Sequence, residues 1–212
     1  MIGRAFRAVL TIALFTTLAN IPAIAAQTGL SGRRVLERLE NIDPQSYFTR
    51  KPPVLEQSST HTGDGTKSLH FVTGTGYGGG YIAKDRLEHP LDLFRTAENG
   101  AITFDLLVKN PQDVRDPNAG SKFEFNIGST DTGKLSAWYI PSGMLEAGEW
   151  NHISLRLYGG RASLTGSTVN GKPISAFKEA GVNNGGVDFS RADNYRLAIY
   201  VSDKPVEGYL AN

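Results

Sequence analysis

From residue 68 onward the hydrophobic positions recur every second residue, the period of a strand with one buried face. Residues 101–109 are the clearest case: Ile102, Phe104, Leu106 and Val108 alternate with Thr103, Asp105 and Lys109. Residues 122–127 repeat the pattern, with Phe123, Phe125 and Ile127 set against Lys122, Glu124 and Asn126. Ile153, Leu155 and Leu157 alternate with His152, Ser154, Arg156 and Tyr158. Leu197, Ile199 and Val201 alternate with Arg196, Ala198 and Tyr200. Further strands are predicted over residues 68–73, after the turn Thr62-Gly63-Asp64-Gly65, and over 77–83, through three consecutive glycines. Asn170-Gly171 between Val169 and Ile174 marks a hairpin.

A helical period occurs upstream. Val35, Leu36, Leu39 and Ile42 share one face of a short amphipathic helix over residues 31–42, which ends before Pro44. Residues 45–53 read as irregular linker, and Pro52-Pro53 would break any regular element. Short half-buried strands separated by Gly, Asn and Pro turns, without interleaved helices, predict an all-β fold. We expect a two-sheet antiparallel sandwich. Long links such as residues 110–120 suit crossings between two sheets better than a meander, which favours a jelly roll.

The first 25 residues stand outside this pattern. Arg4 and Arg7 precede an apolar run over residues 8–18, and Ala23-Ile24-Ala25 offers a small-x-small cleavage pattern. This reads as a signal peptide, and no later run is long enough to span a membrane. The expected organisation is therefore a signal peptide over 1–25, a helix and linker over 26–53, and a sandwich over 54–212. The expected location is secreted or periplasmic.

Composition then removes function classes. The chain has 212 residues, 24 glycines, no cysteine and a formal charge of +1. Losing Arg4 and Arg7 with no acid leaves 20 basic and 21 acidic residues, a net charge of −1. A near-neutral surface argues against a nucleic-acid partner, which selects a basic excess. Without cysteine there is neither a disulfide framework nor a thiolate zinc site. His61, His70, His89 and His152 show no metal-ligand spacing.

Alternation collects a chemically coherent set opposite the core: Asp105, Glu124, Asn126, Trp138, His152, Arg156, Tyr158 and Tyr200. Trp138 joins it if Leu135, Ala137 and Tyr139 point inward. Flat aromatics, a guanidinium, carboxylates and an amide suit a sugar, whose apolar ring face stacks while its hydroxyls need donors and acceptors. The same residues also serve as cross-strand pairs in any sheet, and which strands are neighbours is not written in the sequence. Tyr77 and Tyr81 flank the glycine run, at a ligand-contacting loop or a bulged edge strand. Trp150 is expected in the core or at a sheet edge.

Residues 62–71, Thr-Gly-Asp-Gly-Thr-Lys-Ser-Leu-His-Phe, resemble the "D-G-x-x-S-L-x-hydrophobic" strand of jelly-roll carbohydrate-binding modules with a galactose-binding-like fold. Residues 101–108 resemble their "hydrophobic-S/T-F-D" strand, and 145–157 their "L-x-x-G-x-W-N-x-hydrophobic" strand. Residues 188–201 are similar to a later "D-x-S-x-x-x-x-hydrophobic" approach. Some of these motifs also occur in concanavalin-like and laminin-G sandwiches. The resemblance implies a non-catalytic module for oligo- or polysaccharide, and the outward faces and the glycine run offer Trp138, Arg156, Tyr200, Asn126, Glu124, Asp105 and Tyr81 as its ligand residues. It also implies a structural Ca2+ held by Asp64 and the carbonyl of Lys67. The family's acidic first-strand residue is not matched, since Tyr47-Phe48-Thr49 stands there, and Ala211 replaces the Asp of its last strand.

Two other classes compete. A lyase would use a His or Tyr base with a cation against a uronate, and His152, Arg156 and Tyr158 share a strand face. A glycosidase would need paired carboxylates, for which Glu124 and Asp105 are the nearest approach. A structural or adhesive sandwich is the third class. Exposure of Trp138 and Tyr200 beside Arg156 would favour glycan binding, and burial of both would favour the structural class.

Overall fold

The computed structural model describes residues 47–49, 54–60, 67–75, 80–84, 99–114, 120–129, 131–158, 161–185, 192–199 and 204–211. The expected signal peptide and the expected helix over 31–42 lie outside them. The strands, in chain order, are β1 Tyr47–Thr49, β2 Val54–Ser58, β3 Ser68–Val72, β4 Gly80–Lys84 and β5 Asn99–Val108. They continue as β6 Lys122–Ser129, β7 Lys134–Pro141, β8 Trp150–Tyr158, β9 Arg161–Val169 and β10 Lys172–Pro173. The last are β11 Gly181–Asn184, β12 Asn194–Ile199 and β13 Glu207–Ala211.

They form two antiparallel sheets. One has six strands in the order β1-β4-β12-β6-β7-β11, the other seven in the order β10-β9-β8-β5-β13-β3-β2. The chain crosses between sheets from β5 to β6, as the long link over 110–120 suggests. The stretch read as linker contributes β1, which pairs with β4.

The alternating runs of β5, β6 and β8 turn their apolar sides inward. Ile102, Phe104, Leu106 and Val108 from β5 and Ile153, Leu155 and Leu157 from β8 meet Phe123, Phe125 and Ile127 from β6. The Phe104 and Phe125 rings stack at 4.7 Å between centroids, one from each sheet. Burying these side chains, at roughly 2 kcal/mol each, drives the two sheets together. The Asn-Gly hairpin forms as read: Asn170 at φ 51° and Gly171 at φ 75° close β9 onto β10 with the left-handed pair a tight turn requires.

One strand is turned over relative to the sequence reading. Trp138 is 0% exposed and lies in the core with Ile140, while Tyr139 and Ala137 face the other way. The pairing with β6 decides this, because Phe125 sits opposite Trp138 and Phe123 opposite Ile140. Cross-strand partners share a face, so the phenylalanines carry Trp138 inward.

Candidate functional site

Glu124 and Asn126 occupy the positions of β6 that alternation points away from the core. Register places Ala198 and Tyr139 beside Glu124, and Arg196 and Ala137 beside Asn126. Asn183 of β11 pairs with Ala137, and Gly181 with Tyr139. Position 81 of β4 pairs with Ala198, which brings it into the Glu124 row. Two adjacent ladder rows thus gather a carboxylate, two amides, a guanidinium and a phenol on the outer face of the six-stranded sheet.

This face is not an ordinary solvated one. Glu124 is 5% exposed and Asn126 2%, and Ala137 and Ala198 between them are buried too. Arg196 Nη2 stands 3.9 Å from Glu124 Oε1, too far for a hydrogen bond but close enough to offset the buried charge. Both polar atoms of the Asn126 amide are buried, and no group among the described residues answers them. Native structures rarely leave a buried amide so, because each unmet group costs about 1–3 kcal/mol.

Tyr139 borders the same site. Burial pushes its hydroxyl above the ordinary phenol value, and the Glu124 charge adds to that, while a hydrogen bond with Asn183 pulls the other way. Lys122 Nζ lies 4.1 Å from the ring centroid on this face. A Cβ at Gly181 would come within 2.9 Å of the ring, so glycine there lets Tyr139 lie against β11. Arg196, Tyr139 and Asn183 were absent from the expected ligand set. The alternation of β12 already put Arg196 on the correct face, whereas Tyr139 was hidden by the inverted reading of β7.

The remaining expected residues are scattered. Asp105 and Arg156 belong to β5 and β8, on the outer face of the other sheet. There Asp105 Oδ1 lies 2.8 Å from His152 Nδ1. Along β8, His152 and Arg156 are about 13 Å apart and Arg156 and Tyr158 about 7 Å, and Tyr158 is 70% exposed. Among the described residues, His152 and Tyr158 both stand exposed on that face. Trp138 is withdrawn from any ligand role by its burial, and its indole N–H donates to the Arg156 carbonyl at 3.1 Å. Tyr200, Asp64 and the side chain of Tyr81 lie outside the described residues.

Lys67 is exposed and its ammonium donates to Gln57 Oε1 at 3.2 Å. No group of three His, Asp or Glu side chains able to hold a metal occurs among the described residues. Trp150 sits half-buried on the outer face of the seven-stranded sheet, edge-on to Tyr209 at 6.4 Å. Tyr209 in turn stacks on His70 at 4.6 Å.

No family model matches the sequence, and no curated protein matches it. Solved structures do match. An agarase, AgWH50C, is 16% identical with a TM-score of 0.55, over 84% of this chain and 23% of that one. The cellulose induced protein Cip1 is 13% identical with a TM-score of 0.50, over 84% of this chain and 94% of that one. The family 11 carbohydrate-binding module from Clostridium thermocellum, in complex with a beta-1,3-1,4-mixed-linked tetrasaccharide, is 17% identical. Its TM-score is 0.46, over 84% of this chain and 91% of that one. The fold is a jelly-roll β-sandwich. It is the fold expected from the sequence, held here at identities that speak for architecture alone. No helix among the described residues is long and apolar enough to cross a membrane.

Proposed function

We propose that this protein is an exported, non-catalytic binder of oligo- or polysaccharide, and that its site is the outer face of the six-stranded sheet. The observation that carries the reading is the buried, unanswered amide of Asn126 beside the buried carboxylate of Glu124. A sugar's vicinal hydroxyls would supply what the Asn126 amide lacks and would share the Glu124 carboxylate with Arg196. Each hydroxyl can donate to Glu124 or to the amide oxygen, and each can accept from the amide nitrogen or from Arg196. Strands hold these groups in place before the ligand arrives, which lowers the ordering cost of a weakly held sugar. The likeness to Cip1 and to a segment of an agarase is consistent with such a role, and the N-terminal pattern fits export.

The test is affinity electrophoresis and calorimetric titration against soluble polysaccharides, with Glu124→Gln alongside the unchanged protein. Retardation by at least one polysaccharide, lost in Glu124→Gln with an unchanged melting curve, is the expected result. A folded protein that no polysaccharide retards would support the structural or adhesive class instead. Release of unsaturated sugars during incubation would move the assignment to a lyase.

A further inference from the structure

The outer face of the six-stranded sheet does not stop at the Glu124–Tyr139 row. The next rung pairs Lys122 with Pro141, two residues further along each strand and on the same face. Pro141 is also a wall of a cleft of about 440 Å³, shared with Gln112, Ser121, Ser142, Glu179 and Phe177. That volume falls within the roughly 300–1,000 Å³ typical of small-molecule sites. The cleft is built where three short turns meet, Pro111–Asp113, Ser142–Met144 and Ile174–Ala176. Backbone hydrogen bonds fix it: Ser142 N–H donates to the Ser121 carbonyl at 2.8 Å, and Phe177 N–H to that of Ile174 at 3.1 Å.

Two features of its lining point to a ligand class. Phe177 is 38% exposed, one of few large apolar side chains so placed among the described residues. An aromatic ring held at the lip of a polar cleft offers its face to a partner that is itself apolar on one side. The rest of the lining is a carboxylate, a side-chain amide and two serines, with no cation among them. A uronate or sulfated sugar in the cleft would meet the Glu179 charge with no cation in the lining itself, whereas a neutral hexopyranose would find acceptors and donors for its hydroxyls.

From this continuity we infer that the cleft around Phe177 is a second subsite for the same glycan, reading a neutral sugar further along the chain. The inference rests on the carbohydrate-binding reading of the sheet face. From the Asn126 row to the Pro141 rung is four residues, about 13 Å, which is longer than one pyranose ring. The ligand is thus a chain that leaves the Glu124–Asn126 site and lays a neighbouring unit on Phe177. Gly120 packs against Glu179: its φ of +79° favours glycine, and a Cβ there would approach Glu179 Cγ to 2.9 Å.

The experiment titrates the full chain calorimetrically with disaccharides and hexasaccharides of three neutral series: cello-, laminari- and neoagaro-oligosaccharides. Variants are Phe177→Ala, Phe177→Tyr and Glu124→Gln. The expected result is that Phe177→Ala weakens the hexasaccharide about tenfold and leaves the disaccharide unchanged. Phe177→Tyr should retain the hexasaccharide, and Glu124→Gln should weaken both lengths. Equal hexasaccharide affinity in Phe177→Ala and the unchanged protein would overturn the subsite while leaving the sheet-face site standing. A loss of both lengths in Phe177→Ala, with Phe177→Tyr no better, would also overturn it. Failure of the unchanged protein to bind any of the six sugars would overturn the subsite together with the reading beneath it.

Discussion

The indole N–H of Trp138 donates to the backbone carbonyl of Arg156 at 3.1 Å, and that bond ties the two sheets to each other through the core. Trp138 belongs to the six-stranded sheet and Arg156 to the seven-stranded one. The register of β8 with β9 shifts between Ser154 and Arg156. At that irregularity the Arg156 N–H turns to the Ser167 hydroxyl oxygen at 2.8 Å, and the Ser167 hydroxyl donates to the Ser163 carbonyl at 2.6 Å. A bulge therefore supplies the acceptor that a fully buried indole needs.

Trp138→Phe keeps a ring in the core but removes the donor and part of the volume. A loss of about 2 kcal/mol in unfolding free energy is expected from the cavity and the stranded carbonyl together. Urea denaturation would measure it. Glycan affinity of the folded variant should stay unchanged, since the indole faces away from the sheet's outer face.

Asn126→Leu should act in opposite directions on stability and binding. The substitution removes two buried polar atoms that no group among the described residues satisfies. Stability is expected to rise by about 1 kcal/mol, read as a higher urea midpoint. Polysaccharide retardation should disappear in the same protein. A destabilised variant would show that the amide is satisfied in solution by something that belongs to the fold.

Gly208→Ala probes the middle of the seven-stranded sheet, where β13 is held between β3 and β5. A Cβ there would lie 2.5 Å from the Leu107 carbonyl oxygen and 2.6 Å from Phe71 Cζ. A backbone atom and a buried ring cannot both give way cheaply, so a loss of about 3 kcal/mol is expected. Thermal unfolding by circular dichroism would detect it.

The pH response of stability should carry the signature of Glu207. Its carboxylate accepts from Lys109 Nζ at 2.6 Å, and His70 Nε2 lies 3.1 Å away. The Lys109 hydrogen bond, helped by His70 and opposed by partial burial, holds the carboxyl below its usual 4.5. The same bond raises Lys109 above its usual 10.5. A depressed carboxyl adds stability that is present above its unfolded value and lost as pH falls through the folded one. A raised ammonium adds stability that is present below its unfolded value and lost as pH rises through the folded one. Their joint contribution should be level across neutral pH. Glu207→Gln should narrow the stability gap to the unchanged protein below about pH 4.5. The gap itself should stay under about 1 kcal/mol, because the pair is partly solvated. Denaturant titrations at stepped pH would check both ends.

How much of this was legible in the sequence depends on the range of the interaction that decides each feature. The strands β5, β6, β8 and β12 were visible because alternation is local: a residue and its second neighbour share a face whatever the sheet. The Asn170-Gly171 hairpin was visible for the same reason, since two adjacent residues at positive φ make the turn themselves. The core of Phe104, Phe125, Leu155 and Leu197 follows from those runs alone. Strand β7 failed because Leu135, Ala137 and Tyr139 alternate as plausibly as Ser136, Trp138 and Ile140. Only the pairing of Trp138 with Phe125 selects between the two faces.

By itself, then, the sequence determined that the chain is an all-β sandwich and which side of its clear strands is wet or dry. The tertiary structure decided which wet sides share a sheet. Asp105 and Arg156 look interchangeable with Glu124 and Asn126 along the chain, yet they sit on opposite sheets. Asn126 meets Arg196 across some seventy residues through a ladder contact that no local pattern encodes. Strand pairing joins segments distant in the chain, and a one-residue slip in it reverses every side chain. The site's composition was therefore written locally, while its assembly was fixed only when β6, β7, β11 and β12 paired.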